Sequence, residues 1–304
     1  MKKLVETDKV PLKIALKALM LSKSTYYHRP NPTKDRRKKP LDKELVNLLM
    51  NLPKYEQNYG YRRVTKYLGG YNHKKVYRHM KELNLTQPRR IKKHHKNRLN
   101  ISCPVRSNIR WEGDLTYIYD GQRLNYLFVI IDTYDKEPIG DYYGLRCRAE
   151  EALYSLEEAV KNRFGSLEPY RNGFRVTLRV DQGSQYISNK FKRRAKELGV
   201  HLEYCGINCP NDKPYIESFF ARYKCEEVYR NEYISYTGAF LGWIEYKNWY
   251  MTRRIHQGLG WATIPEFKAL KDSLLAEPFG SNYNRGRKDF YAPCIASFIF
   301  YFKS

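Results

Sequence analysis

The chain has 304 residues, with 56 Lys and Arg against 32 Asp and Glu, a formal net charge of +24. Its length allows roughly two domains, and its 42% hydrophobic content supports packed cores and argues against wholesale disorder. Mean hydropathy is -0.73. No apolar run reaches the roughly 18–20 residues of a membrane span, and the opening Met1-Lys2-Lys3-Leu4-Val5-Glu6 lacks a signal-peptide pattern. A transmembrane or secreted protein is therefore not expected. A large positive charge calls for an anionic partner, nucleic acid first. A merely soluble basic protein is the plainer alternative.

The charge is unevenly divided. Residues 1–110 hold 29 Lys and Arg and 7 Asp and Glu, a net +22, and the remainder is about +2. The first region suits phosphate binding, in which each neutralised phosphate releases counterions. The second can hold a carboxylate cluster. The six cysteines are scattered and expected to be reduced. His201, Cys205 and Cys209 offer zinc ligands, but with no CxxC pair and no second ligand pair a strand followed by a loop is preferred.

In chain order, residues 10–27 carry Leu12, Ala15, Leu16 and Leu19 at helical spacing, followed at Leu21-Ser22 by a turn into a second short helix. Residues 1–30 thus read as a partial helix-turn-helix. A proline-rich basic linker follows, to Pro40. Residues 41–86 form a second module of three helices. The first has a Leu45, Leu48, Leu49 stripe, the second is Tyr59–Leu68, stopped by Gly69-Gly70, and the third is His73–Leu83, capped by Asn72. Val76, Met80 and Leu83 should face its core and Lys74, Lys75, Arg78 and Lys81 should face outward. A basic last helix is the arrangement by which a helix-turn-helix enters a DNA groove, although such a face is often only solvated. Residues 87–108 are another basic linker.

From Trp111 the pattern changes. Strands are expected at Trp111–Ile118, Leu124–Ile131, Ile139–Tyr143, Arg175–Val180 and Val200–Tyr204. Helices are expected at Arg148–Phe164, Asn189–Leu198 and Tyr215–Arg230. Three hairpin-linked strands followed by alternating helix and strand predict a mixed, five-stranded α/β sheet with flanking helices. Asp114 lies within the first strand, on the opposite side from Trp111, Gly113 and Leu115. Asp181 ends the fourth strand, and Glu217 lies in the first turn of a helix, three residues after Pro214. If the first and fourth strands are neighbours, the two aspartates reach one edge, and the helix of Glu217 packing across it closes a three-carboxylate pocket. Gathered carboxylates repel unless a cation neutralises them, and hard oxygens suit Mg²⁺ or Mn²⁺. Two such ions serve a phosphodiester on both its attacking and its leaving side. Taken singly, each acid reads as an ordinary turn or helix residue.

The acids and the residues around them resemble one family. Asp181 and Glu217, with 35 residues between them, resemble the Asp, Asp-35-Glu signature of retroviral integrases and insertion-sequence transposases. Trp111-Glu112-Gly113-Asp114-Leu115-Thr116-Tyr117 resembles the family's Trp-x-x-Asp-x-Thr-Tyr, and Val180-Asp181-Gln182-Gly183-Ser184-Gln185-Tyr186 its Ser-Asp-x-Gly-x-x-Tyr. Pro210–Phe220 resembles the segment around the last acid, and Arg254–Phe267 the closing Arg-Pro-His-x-x-Leu-Gly-x-x-Thr-Pro segment. Tyr59–Arg63 and Val76–Leu83 resemble the helix-turn-helix of one large bacterial group, whose transposase is completed by fusion to a short upstream reading frame. The resemblance covers about residues 10–270. Departures are Val180 for the usual Ser, Lys213 where Asn is common, Ile255 for a Pro, and the added Ile264.

The resemblance implies an RNase H-like catalytic core at residues 109–270, preceded by all-α DNA-binding modules. It implies a transposase that binds element ends, cleaves DNA and joins the 3′-OH to target DNA, with Asp114, Asp181 and Glu217 holding two Mg²⁺ or Mn²⁺. Lys224, on the face of Glu217, and Arg222 would contact phosphate, and Arg62, Arg63, Lys74, Lys75, Arg78 and Lys81 are further DNA-binding candidates. The implied partners are double-stranded DNA, a second copy of the chain and an upstream-frame helix-turn-helix protein. The implied location is the bacterial cytoplasm, at the nucleoid when DNA is bound. The rival readings are a domesticated or inactive DNA-binding remnant and a ribonuclease of the same fold. Residues 271–304 have no assigned role.

Overall fold

The structure is a computed structural model and describes residues 11–27, 40–87, 104–206 and 212–276. The tail beyond residue 276, much of both basic linkers and Cys209 lie outside the described residues. The chain divides into two compact units, Met1–Lys43 and Glu44–Ser304.

In the first unit α1 (Leu12–Ala18) and α2 (Lys23–Tyr27) are joined by a turn in which the Ser22 hydroxyl accepts from the Thr25 amide at 3.2 Å. Of the four residues expected to share a face, Ala15 is buried, Leu12 and Leu16 are half-buried and Leu19 is exposed. A helix of 7 residues is too short to bury a full stripe.

In the second unit α3 (Lys43–Met50), α4 (Tyr61–Leu68) and α5 (His73–Glu82) form the helical end. The Asn72 side chain caps α5 by accepting from the Lys74 amide at 2.8 Å. Leu45, Leu49, Val76 and Met80 are buried as their spacing predicts, while Leu48 is 38% exposed. These helices share one apolar cluster with α9 (Pro214–Glu226) and α10 (Tyr236–Thr252), the latter unforeseen in the sequence. The Tyr55 ring stacks on Trp249 at 4.7 Å, the Trp249 indole donates to Glu56, and the Tyr59 hydroxyl accepts from the Ile255 amide.

The sheet comprises β1 (Arg110–Tyr119), β2 (Leu124–Asp132), β3 (Pro138–Gly144), β4 (Val176–Val180) and β5 (Val200–Tyr204), in the order β3-β2-β1-β4-β5. β1–β2 and β2–β3 pair antiparallel; β1–β4 and β4–β5 pair parallel. Helices cover both faces. Trp111, Phe128, Ile130, Leu178 and Val180 pack with α6 (Ala149–Phe164) and α8 (Asn189–Glu197). Ile118, Leu127, Val129 and Ile131 pack on the side of α9 and α10. β2 is therefore apolar on both sides, which explains its unbroken run. Gly140 permits the close approach of β3 to α6: a Cβ there would lie 2.2 Å from the Ser155 carbonyl oxygen. A short helix, α7 (Ser184–Ile187), follows β4, and α11 (Ile264–Ala276) reaches into the segment left without a role.

Candidate active site

Strand alternation decides where the acids point. Trp111 and Leu115 face α6 and α8, so Glu112, Asp114 and Ile118 face α9. On β4, Val176, Leu178 and Val180 take the α6 side, which turns Arg179 and then Asp181 toward α9. β1 and β4 are adjacent, with Glu112 opposite Arg179. The two aspartates consequently lie on the α9 side, where β4 ends beside the middle of β1.

Glu112 and Arg179, each two residues before an aspartate, hold the segment that leads to Glu217. A Glu112 carboxylate oxygen accepts from the Tyr215 and Ile216 amides, both at 2.9 Å, and so caps the N-terminus of α9. The Arg179 guanidinium donates to the Asp212 carbonyl at 2.7 Å and pairs with Glu203 on β5. Pro214 occupies the first turn of α9, where its missing N–H costs nothing. Glu217 and Lys224 share one face of this helix. Sequence reasoning quoted Glu112 within its motif but assigned it no role. Its position two residues from Asp114, hence on the same face, was the available signal.

Asp114 and Asp181 come together through a third residue. The buried Lys213 ammonium lies 2.9 Å from an Asp114 oxygen and 3.5 Å from an Asp181 oxygen. The other Asp181 oxygen accepts from the Gly183 amide at 2.8 Å. Burial pushes the Asp114 carboxyl upward against the pull of Lys213. Burial is the largest influence on Lys213 and acts to lower it, but the Asp114 and Asp181 carboxylates together hold the ammonium above its ordinary value. Glu217 is exposed, and its carboxyl is raised by partial burial and by the Asp114 charge. Among the described residues no three acidic, His or Cys side chains form a ready metal cluster. Two acids are thus joined, and Glu217 in the first turn of α9 feels the Asp114 charge without joining them. The donor set is all carboxylate oxygen, which fits a hard divalent cation, with the Lys213 ammonium set against it.

Burial lifts the Glu112 carboxyl to about 7. Lys136 lies 3.6 Å over the Tyr215 ring, and burial lowers its ammonium to about 8. Both support the start of α9.

The expected basic face differs in detail. Arg62, Lys74 and Lys81 are exposed, while Lys75 and Arg78 are half-buried, Lys75 over the Tyr71 ring. Arg63 turns inward over Tyr59, and burial, with Arg254 close by, lowers its guanidinium to about 10. The reason is the apolar seam with α10, which the sequence did not disclose. Arg222 and Lys224 are half-buried on α9. In the closing segment, Arg254 is buried and forms two bonds to Glu226 of α9, at 2.8 and 3.0 Å, so this motif braces the helix of Glu217 from its far end. Burial, and then the Arg254 charge, drive His256 well below its usual range.

Residues 104–210 match the integrase core domain family. The chain is 28% identical over 278 residues to the putative transposase InsK for insertion sequence element IS150 of Escherichia coli (strain K12), covering 85% of this chain and 93% of that one. It is 25% identical over 159 residues to the transposase for insertion sequence element IS904 of Lactococcus lactis subsp. lactis (strain IL1403), covering 52% and 60%. Among solved structures it is similar to the HTLV-2 integrase catalytic core domain, at 12% identity and a TM-score of 0.40 over 53% of this chain and 96% of that one. The core-domain match and the curated relatives indicate a polynucleotidyl transferase of the DDE type. The relatives the chain resembles are transposases of bacterial insertion sequences. Among the described residues no helix is long and apolar enough to cross a membrane.

Proposed function

We propose that this chain is a transposase that binds the ends of a mobile element, cleaves there and joins the freed 3′-OH to target DNA, using Asp114, Asp181 and Glu217. The observation that carries the reading is the meeting of Asp114 and Asp181 at Lys213, beside the end of β4, with the first turn of α9 fastened there by Glu112. In cleavage a water oxygen bonds to phosphorus, the P–O3′ bond breaks, and the leaving oxygen takes a proton to become the 3′-OH. In joining, that 3′-OH attacks a target phosphodiester and a target 3′ oxygen departs. No covalent protein–DNA intermediate is required. When bound, a pair of divalent cations supplies charge neutralisation at the attacking and leaving oxygens. The three carboxylates would hold that pair, Glu112 would fix α9, and Lys224 with Arg222 would position phosphate. The exposed Arg62, Lys74 and Lys81, with Lys75 and Arg78, would grip the duplex in a salt-dependent way. Element ends must be brought together, so at least two copies would act on double-stranded DNA, with an upstream-frame helix-turn-helix protein as a fusion partner.

One observation favours the alternative of a DNA-binding remnant: a lysine stands between two of the acids. Labelled element-end DNA incubated with Mn²⁺ separates the two readings. Strand cleavage that disappears in Asp181→Asn is the expected result; its absence from the wild type, or its persistence in the variant, supports the remnant.

A further inference from the structure

Four observations converge on Lys213. The residue is 7% exposed, and its ammonium lies within 3.5 Å of both aspartates, with the Gly113 carbonyl at 3.4 Å. Asp181 commits its other oxygen to the Gly183 amide, so its contact with Lys213 uses the oxygen left to face Asp114. The backbone on either side of Lys213 is held, by Arg179 at Asp212 and by Glu112 at Tyr215. The lysine stem is flexible and its three donors are not bound to one geometry.

A divalent cation held by the two aspartates would use carboxylate oxygens that now face the ammonium. It would then lie against a fixed positive charge in a site partly withdrawn from water, where like charges repel strongly. Ion and ammonium exclude each other. Since the backbone is tied, the side chain must yield, and the tied backbone lets it do so without moving α9.

We propose that Lys213 is a built-in competitor for the divalent cation at Asp114 and Asp181, so that the cation loads only as the lysine side chain withdraws. This rests on the reading of those acids as the cation-holding residues. Apparent metal affinity is then the intrinsic affinity multiplied by the fraction of molecules whose lysine is out. Lys213 thereby sets the metal concentration at which the site fills.

The test is Mn²⁺ titration of the full chain, following the paramagnetic resonance signal of free manganese, with no DNA and no turnover. Lys213→Met is close in shape and uncharged. It should bind Mn²⁺ about tenfold tighter or more, while Lys213→Arg, which keeps the charge, should not. Lys213→Asn is the second neutral variant, used if the first does not melt cooperatively. Affinity that is unchanged or weaker in a folded neutral variant overturns the proposal, as does equal tightening in Lys213→Arg. Asp181→Asn is titrated alongside. If it loses Mn²⁺ binding while the neutral lysine variants do not bind tighter, the competitor fails and the acid site stands. If it binds Mn²⁺ like the wild type, the acid site itself fails and the competitor with it.

Discussion

Two buried cations in this chain face carboxylates and behave differently. Arg254 meets Glu226 with two parallel bonds, and the Tyr246 hydroxyl donates to the same carboxylate at 3.0 Å. Every group there is spoken for by a planar fork that matches its partner. Lys213 is a point charge shared unequally between two aspartates, at 2.9 and 3.5 Å, on acids that stay half-exposed. The first pair lies between α9 and the segment that follows α10. The second lies where β4 ends beside the middle of β1. Saturated bidentate geometry marks a brace; an under-committed cation among acids marks a place where another cation can compete.

The contrast can be broken in four ways. Asp181→Asn should lower strand cleavage by roughly a thousandfold or more while leaving the melting temperature near that of the wild type, the scale at which a group acting in the transition state is lost; gel assays on labelled DNA measure it. Arg254→Met strands the Glu226 carboxylate in the interior and should cost about 3–5 kcal/mol in urea unfolding. Adding Glu226→Leu should recover much of that loss. If Arg254→Met left stability intact, the brace reading would be wrong.

Glu112→Gln probes the cap on α9. Burial raises the Glu112 carboxyl from 4.5 to about 7. Between those pH values the folded chain binds more protons than the unfolded one, so this group lowers stability as pH rises through the window and levels off above it. The glutamine variant keeps a carbonyl acceptor and should flatten that slope, for a relative gain of up to about 3 kcal/mol at pH 8. Urea unfolding at pH 5 and pH 8 reads it. The smallest effect is expected from Lys224→Ala, which should weaken DNA binding modestly and reduce the salt dependence of log K by about 1; fluorescence anisotropy at several salt concentrations measures it.

Much of this arrangement was legible in local pattern. The unbroken run of β2, the alternation of β1 and the turn after Asp181 are short-range signals, and the parity of β1 correctly set Asp114 apart from Trp111. What escaped were relations between distant residues. Lys213 read as a departure from a motif, because lysine is usually solvated, and nothing local reveals that it reaches back 99 positions to Asp114. Glu112 read as a spacer for the same reason. The outward basic face of α4 and α5 was drawn as if the helices stood alone. Arg63 turns inward because Tyr59 is covered by Trp249 and Ile255, partners nearly 200 residues away. Helix α10 buries one face, Ala239, Trp243, Tyr246, Trp249 and Tyr250, but the exposed Leu241 and Ile244 on its other side blur the stripe in the sequence.

The stacking of Tyr55 on Trp249 has a practical corollary. The sheet with its flanking helices is not a detachable cassette. A fragment starting near residue 109 would bare the indole of Trp249 and the ring of Tyr246, along with the groove that Tyr59 fills, and should be sticky in solution. Shuffling this sheet-bearing half onto a different front end would have to carry α3 to α5 along, or rebuild an aromatic seam from nothing.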